Sequence, residues 1–171
     1  QYSAQDGLVN DWHFVHLGAR AAGGAGIVFT EAVHTEPEGR ITKHCLGLWN
    51  DTQRDALKRI VDFVTENGAI PAIQLGHAGR KASVGRPWEG TGPVSPEDGG
   101  WPLVGASAMA YAKGFQIPEE LSKAGLEKNI QNLVDSVVRA REAGFQIIEL
   151  HAAHGYLFHQ FLSPLSNTRT D

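Results

Sequence analysis

Apolar and polar positions along the chain fall into three units, each a helix followed by a strand. The first helix is predicted to start at Asn10, a residue type that accepts hydrogen bonds at helix starts, with Asp11 in the first turn. Trp12, Val15, Ala19 and Ala22 recur at helical spacing and predict its buried face. Gly23 and Gly24 end it, and residues 26–31 form a short apolar run suited to a strand covered on both faces. The second helix is capped by Asp51 or Thr52, carries the stripe Ala56, Leu57, Ile60, Val61 and Val64, and stops before Gly68. A strand over 69–75 follows, with Pro71 near its start, where proline is best tolerated. The third helix begins near Ser122, turns Leu126, Ile130, Leu133, Val134, Val137 and Val138 inward, and ends at Gly144, before a strand over 145–150.

Residues 76–117 break this rhythm and are rich in Gly and Pro. A patternless stretch beyond about 15 residues is usually functional or disordered. Trp88, Trp101 and the Met109-Ala110-Tyr111 run argue for order. An ordered excursion covering one end of the domain is expected, with a hairpin as one form it could take. Neither a repeat of about 20–50 residues nor a linker divides the chain, so residues 1–171 read as one domain.

Non-alternating apolar strands that follow helices predict an α/β fold with parallel strands. A doubly wound sheet would place its glycine-rich turn after a strand. Gly23-Gly24-Ala25-Gly26 instead precedes one and reads as a helix end. That leaves a TIM (β/α)8 barrel, which needs about 250 residues. About three parallel strands are present, so a portion of such a barrel is expected. The chain opens at Gln1 rather than Met and stops at Asp171 in a polar stretch, as a segment of something longer would.

Composition narrows the function classes. Hydrophobic residues at 42% and charged residues at 20% argue against disorder. A net charge of −4 predicts no nucleic-acid partner. No run reaches the ~18 apolar residues of a membrane helix, and no signal peptide opens the chain. The single cysteine, Cys45, rules out an internal disulfide framework and a cysteine-built zinc site, so a reducing, cytoplasmic setting is expected.

A barrel carries its chemistry at the C-terminal ends of its strands. There Gln74, His77, His151, His154 and Tyr156 would gather on one rim and could hold a polar planar ligand. His34 and His44 read as surface-loop histidines, His13, His16 and His159 as helix residues, Trp88 and Trp101 as loop anchors, and Arg80 and Lys81 as solvated loop charges. Glu31 and Glu149 read as structural carboxylates, and neither Ser163 nor Ser166 has a triad pattern beside it. His151 and His154 are three apart, whereas a helical zinc pair is usually four apart, so no metal site is expected. Two imidazole donors aimed at a substrate oxygen fit better.

At these residues the sequence resembles the Old Yellow Enzyme family of FMN-dependent ene-reductases, particularly its bacterial xenobiotic-reductase-like members. The resemblance rests on Gly24-Ala25-Gly26 with Glu31-Ala32, Pro37-Glu38-Gly39-Arg40, Gln74-x-x-His77-Ala78-Gly79-Arg80 and Arg86-Pro87-Trp88-Glu89-Gly90. Its most specific part is Glu149-Leu150-His151-x-x-His154-Gly155-Tyr156-Leu157, which runs on into Gln160-Phe161-Leu162-Ser163-Pro164-x-x-Asn167-x-Arg169-x-Asp171. It implies cofactor contacts at Ala32, Gln74 and His151, with Gln74 on the flavin pyrimidine edge. It implies substrate contacts at Tyr2, His151, His154 and Tyr156, the two imidazoles binding a carbonyl or nitro oxygen and Tyr156 protonating carbon.

The implied activity is reduction of α,β-unsaturated carbonyl or nitro compounds by FMN, with NAD(P)H as electron donor. The family's first strand and C-terminal half would lie outside this segment, so isolated residues 1–171 are expected to retain no FMN and to be inactive. The full-length protein is a candidate homo-oligomer. Two alternatives are an iron–sulfur flavoprotein on the same barrel, of the dienoyl reductase type, and a metal-dependent barrel hydrolase using His151 and His154.

Overall fold

The computed structural model describes residues 1–90 and 92–171. Four helices, α1 (Asp11–Ala22), α2 (Asp51–Glu66), α3 (Lys123–Ala143) and α4 (Leu157–Leu162), accompany six strands. The strands are β1 (Ile27–His34), β2 (Leu46–Gly47), β3 (Ile70–Gly76), β4 (Val104–Gly105), β5 (Glu119–Glu120) and β6 (Ile147–Leu150). The main sheet is parallel, in the order β2-β1-β3-β6. Three of its strands are those expected, and β2 is an addition too short to leave a periodic signal.

Helix starts follow local side-chain chemistry. Asn10 accepts from the Trp12 N–H and Ser122 from the Gly125 N–H. In α2 the cap is Asn50, not Asp51 or Thr52, because Asn50 accepts from the Gln53 N–H while the Gln53 side chain returns to the Asn50 backbone. Gly144 closes α3 in the left-handed conformation.

Two helix faces differ from the expected ones. In α1 the buried residues are His13, Leu17, Gly18 and Ala21, while Trp12 is 55% exposed. The reason is the approach of α2: a Cβ at Gly18 would lie 2.9 Å from Phe63, whose ring meets Phe14 at 4.9 Å. In α3, Leu133 and Val137 pack on the core with the buried Ser136, Ala140 and Ala143. Ile130, Val134 and Val138 instead face outward, 62%, 47% and 45% exposed. The helix carries two apolar edges, and only one meets α2 and the sheet.

The main core lies between the sheet and α2 and α3, around Leu46, Leu48, Leu57, Val61, Ile73 and Leu75. A second cluster joins α1 to α2 through Leu17, Val28, Ile60 and Val64. His34 is not a surface-loop residue. It ends β1, pairs in register with Gly47, is buried, and binds the Leu46 carbonyl through Nδ1 at 3.0 Å. The described residues of the 76–117 excursion are ordered, and 83–85 run antiparallel to 92–94, with the Gly85 N–H donating to the Gly92 carbonyl and the Val94 N–H to the Ser83 carbonyl. Its short strand β4 pairs in parallel with β5, and Val84 and Pro93 form an antiparallel bridge. No helix among the described residues is long and apolar enough to cross a membrane.

Candidate active site

The C-terminal ends of β1, β3 and β6 lie side by side, and their register aligns the polar positions. Ala32 pairs with Gln74, which in turn pairs with Glu149. In adjacent parallel strands, residues in register project from the same face of the sheet. Ala32 therefore sets a methyl group beside the half-buried Gln74. Among the described residues the Gln74 carboxamide has no hydrogen-bond partner, although its backbone N–H donates to Thr30 Oγ1 at 3.3 Å.

His151 follows β6 directly and continues its ladder, its N–H donating to the Leu75 carbonyl at 2.8 Å. Gly76 makes room, since a Cβ there would stand 3.2 Å from the His151 Cβ. The chain then turns through His154, which is left-handed at φ +58°, and reaches Tyr156 before α4. This turn brings three rings together edge-on: His151 is 5.1 Å from His154 and 5.0 Å from Tyr156, and His154 is 6.3 Å from Tyr156.

Burial, followed by the neighbouring His154, pushes His151 below the usual imidazole range, so the ring is neutral near pH 7 and offers one N–H. Burial, then Tyr2, pushes the Tyr156 phenol above its ordinary value and keeps it protonated. Tyr2 is raised as well, first by burial and then by Cys45 and Glu31. Tyr2 and Tyr156 share a cavity of about 300 Å³ with Lys81, Tyr111 and Phe115. The structure thus places Ala32 and Gln74 on strands, His151, His154 and Tyr156 on one turn, and Tyr2 in the cavity that Tyr156 lines.

His77 departs from expectation. It does not face the open rim but is buried, with its Nε2 2.8 Å from Glu36 Oε1. The Gly79 N–H donates to its Nδ1 at 2.9 Å, which places the ring proton on Nε2, directed at the carboxylate. Glu31 binds His13 Nε2 at 3.2 Å and the terminal amino group of Gln1. His159 accepts from the Gly155 N–H at 2.8 Å and so supports the turn. Trp101 anchors the excursion, donating from Nε1 to the Glu38 carbonyl at 2.8 Å. Trp88 is exposed and meets the Tyr2 ring edge-on at 5.9 Å.

Sequence reasoning missed Lys81 and Tyr111. Lys81 was expected to be a solvated charge, but its Nζ stands over the Tyr111 and Tyr156 rings. Its place just after His77-Ala78-Gly79-Arg80 on a strand-end loop was the available signal. No group of three or more metal-binding side chains stands together among the described residues.

The chain as a whole is similar to known proteins. An NADH:flavin oxidoreductase of Gibberella zeae is 46% identical over 175 residues, spanning 100% of this chain and 42% of its own length. An NADPH dehydrogenase of Listeria welshimeri is 46% identical over 167 residues, spanning 98% of this chain and 45% of its own. The chain therefore spans slightly under half the length of these relatives. Among solved structures, morphinone reductase matches with a TM-score of 0.83 at 27% identity, over 99% of this chain and 46% of its own. Old Yellow Enzyme from Pichia sp. matches at 0.85 and 26%, over 99% and 44%. 2-Naphthoyl-CoA reductase matches at 0.85 and 27%, over 99% and 27%. The parallel strands are thus a portion of an α/β barrel of the kind these enzymes have. The model of the NADH:flavin oxidoreductase / NADH oxidase family matches residues 1–171, and the chain belongs to that family.

Proposed function

We propose that this chain is the substrate-binding portion of an FMN-dependent oxidoreductase that reduces activated carbon–carbon double bonds, with NAD(P)H as electron donor. The observation that carries the reading is the turn that sets His151, His154 and Tyr156 within 5.0–6.3 Å of one another beside the Ala32–Gln74 register pair. A flavin fits this end of the sheet. Ala32 offers a flat methyl surface, and the free Gln74 amide offers one donor edge and one acceptor edge to a heterocycle. When bound and reduced, FMN supplies the hydride, and the protein supplies binding, orientation and polarisation.

The residues divide the remaining work. The β carbon of an enone or nitroalkene gains the hydride, so negative charge grows on the activating oxygen. His151 and His154 donate to that oxygen. One such donor in a dry site is worth about 2.7–4 kcal/mol of barrier. Tyr156, held protonated by burial, delivers a proton to the α carbon and completes the saturated product. Tyr2 lines the same cavity as Tyr156. The substrate is a small α,β-unsaturated carbonyl or nitro compound. The setting is cytoplasmic, without nucleic-acid or membrane partners.

The test is the full-length enzyme carrying His151→Ala and His154→Ala. Phenol, which presents one oxygen to the paired imidazoles, should bind far more weakly, and enone turnover should fall roughly 100-fold or more. Unchanged phenol binding and turnover would overturn the reading. A second reading is a larger flavoprotein with an added iron–sulfur cluster; what favours a larger protein is that this chain covers 27% of the 2-naphthoyl-CoA reductase chain. The visible absorption spectrum separates flavin alone from flavin with a cluster.

A further inference from the structure

Lys81 closes the 3-10 turn Gly79–Lys81, beyond the end of β3. Its half-buried side chain folds back over the protein, so that the ammonium, though still at the surface, meets protein groups. The Nζ donates to the His154 carbonyl at 2.9 Å, and it stands 4.6 Å from the Tyr111 ring centroid and 5.0 Å from that of Tyr156. No carboxylate pairs with it among the described residues. Its partners come from three places: the excursion, the left-handed residue of the His151–Tyr156 turn, and the phenol after that turn.

Each contact bears on the geometry of the site. A left-handed conformation is costly for a residue with a Cβ, and His154 holds φ +58°. The bond from Lys81 goes to the carbonyl of that same residue. A cation over an aromatic face is attracted by the ring quadrupole, so the ammonium also fixes the tilt of Tyr156. The Tyr111 ring gives the ammonium a second aromatic face.

We propose that Lys81 is a positioning residue that holds the His154 imidazole and the Tyr156 phenol in their relative places by clamping the backbone of one and the ring of the other. Its charge is required, because a neutral chain of equal length can neither donate to the carbonyl nor bind the ring faces. The functional consequence rests on the ene-reductase reading given above. The clamp itself does not.

The experiment uses the full-length enzyme with Lys81→Met, Lys81→Arg and Tyr111→Leu. In Lys81→Met, phenol affinity and the kcat for enone reduction should each fall about tenfold, with flavin reduction by NADPH unchanged. Lys81→Arg should recover most of the loss, and Tyr111→Leu should reproduce part of it. Independently of flavin, the His154 ring resonances should shift or broaden in Lys81→Met and stay sharp in Lys81→Arg. Wild-type binding and resonances in Lys81→Met would overturn the clamp. So would equal losses in Lys81→Met and Lys81→Arg accompanied by a lower melting temperature, which indicate packing alone. A wild-type enzyme without flavin would overturn the ene-reductase reading and leave the resonance test of the clamp standing.

Discussion

His77 donates from Nε2 to Glu36 Oε1 across 2.8 Å, and the second Glu36 oxygen accepts from Asn132 Nδ2 at the same distance. One buried carboxylate thereby joins the segment after β1, the loop after β3 and the middle of α3. Burial opposes ionisation of Glu36, but the hydrogen bond and charge of His77, followed by Lys128 and Asn129, hold its carboxyl below the usual carboxylate range. The pair lies behind the candidate site and sets the loop from which Lys81 reaches it. Glu36→Ala should therefore destabilise by roughly 1–3 kcal/mol, since it strands the buried His77 donor. Glu36→Gln should cost less, because an amide oxygen still accepts. Equal melting temperatures for Glu36→Ala and wild type would contradict this.

Gly79 has φ +58°, and a Cβ there would lie 2.4 Å from Gln160 Nε2 and 3.1 Å from the Leu157 Cα. Gln160 itself donates to the Gly155 carbonyl at 3.1 Å. Gly79→Ala should cost at least about 1–2 kcal/mol from backbone conformation alone. By displacing Gln160 it should also loosen the Gly155 turn and weaken phenol binding. Gly26→Ala, with nothing within 4 Å of its new methyl, is the control and should stay within about 0.5 kcal/mol of wild type.

Acid should destabilise the protein in two stages. Burial pushes His34 down to about 4. The unfolded chain then takes up a proton near pH 6.5 that the folded chain refuses until about pH 4, so stability falls as pH drops through that window. The loss from His34 is roughly 3 kcal/mol at most. Glu31 and Glu36 have depressed values, so their stabilisation is present above about pH 4.5 and disappears below it. Denaturant titrations across this range should show His34→Gln flattening the upper stage and leaving the lower one. An unchanged upper stage in that variant would assign the loss elsewhere.

Tyr156→Phe keeps the ring and removes the proton. In the full-length enzyme it should lower the kcat for enone reduction by roughly 100-fold or more, while flavin reduction by NADPH is unaffected. Stopped-flow measurement of the two half-reactions separates these outcomes. Equal slowing of both would remove Tyr156 from the protonation role.

Chain-local chemistry accounts for much that was legible in advance. Asn10, Ser122 and Gly144 mark helix ends because capping depends on a side chain or a positive φ within a few residues. The helix–glycine–strand alternation was enough for parallel strands, and the polar residues at strand ends followed from it. Burial was less legible, because it depends on what packs opposite. Trp12 and His13 fit helical periodicity equally well, and only Phe63 arriving beside Gly18 makes His13 the inner one. Val134 and Val137 differ only in which edge of α3 meets the core.

His77 and Lys81 show the same division at the candidate site. Sequence placed both on the loop after β3, His77 on the rim and Lys81 as a solvated charge. Neither orientation could be read there, because each is set by a partner far along the chain: Glu36 and Asn132 turn His77 inward, and Tyr111, His154 and Tyr156 draw Lys81 over the rings. Short-range periodicity and capping decide where elements begin and end. Long-range desolvation and pairing decide which way each side chain points.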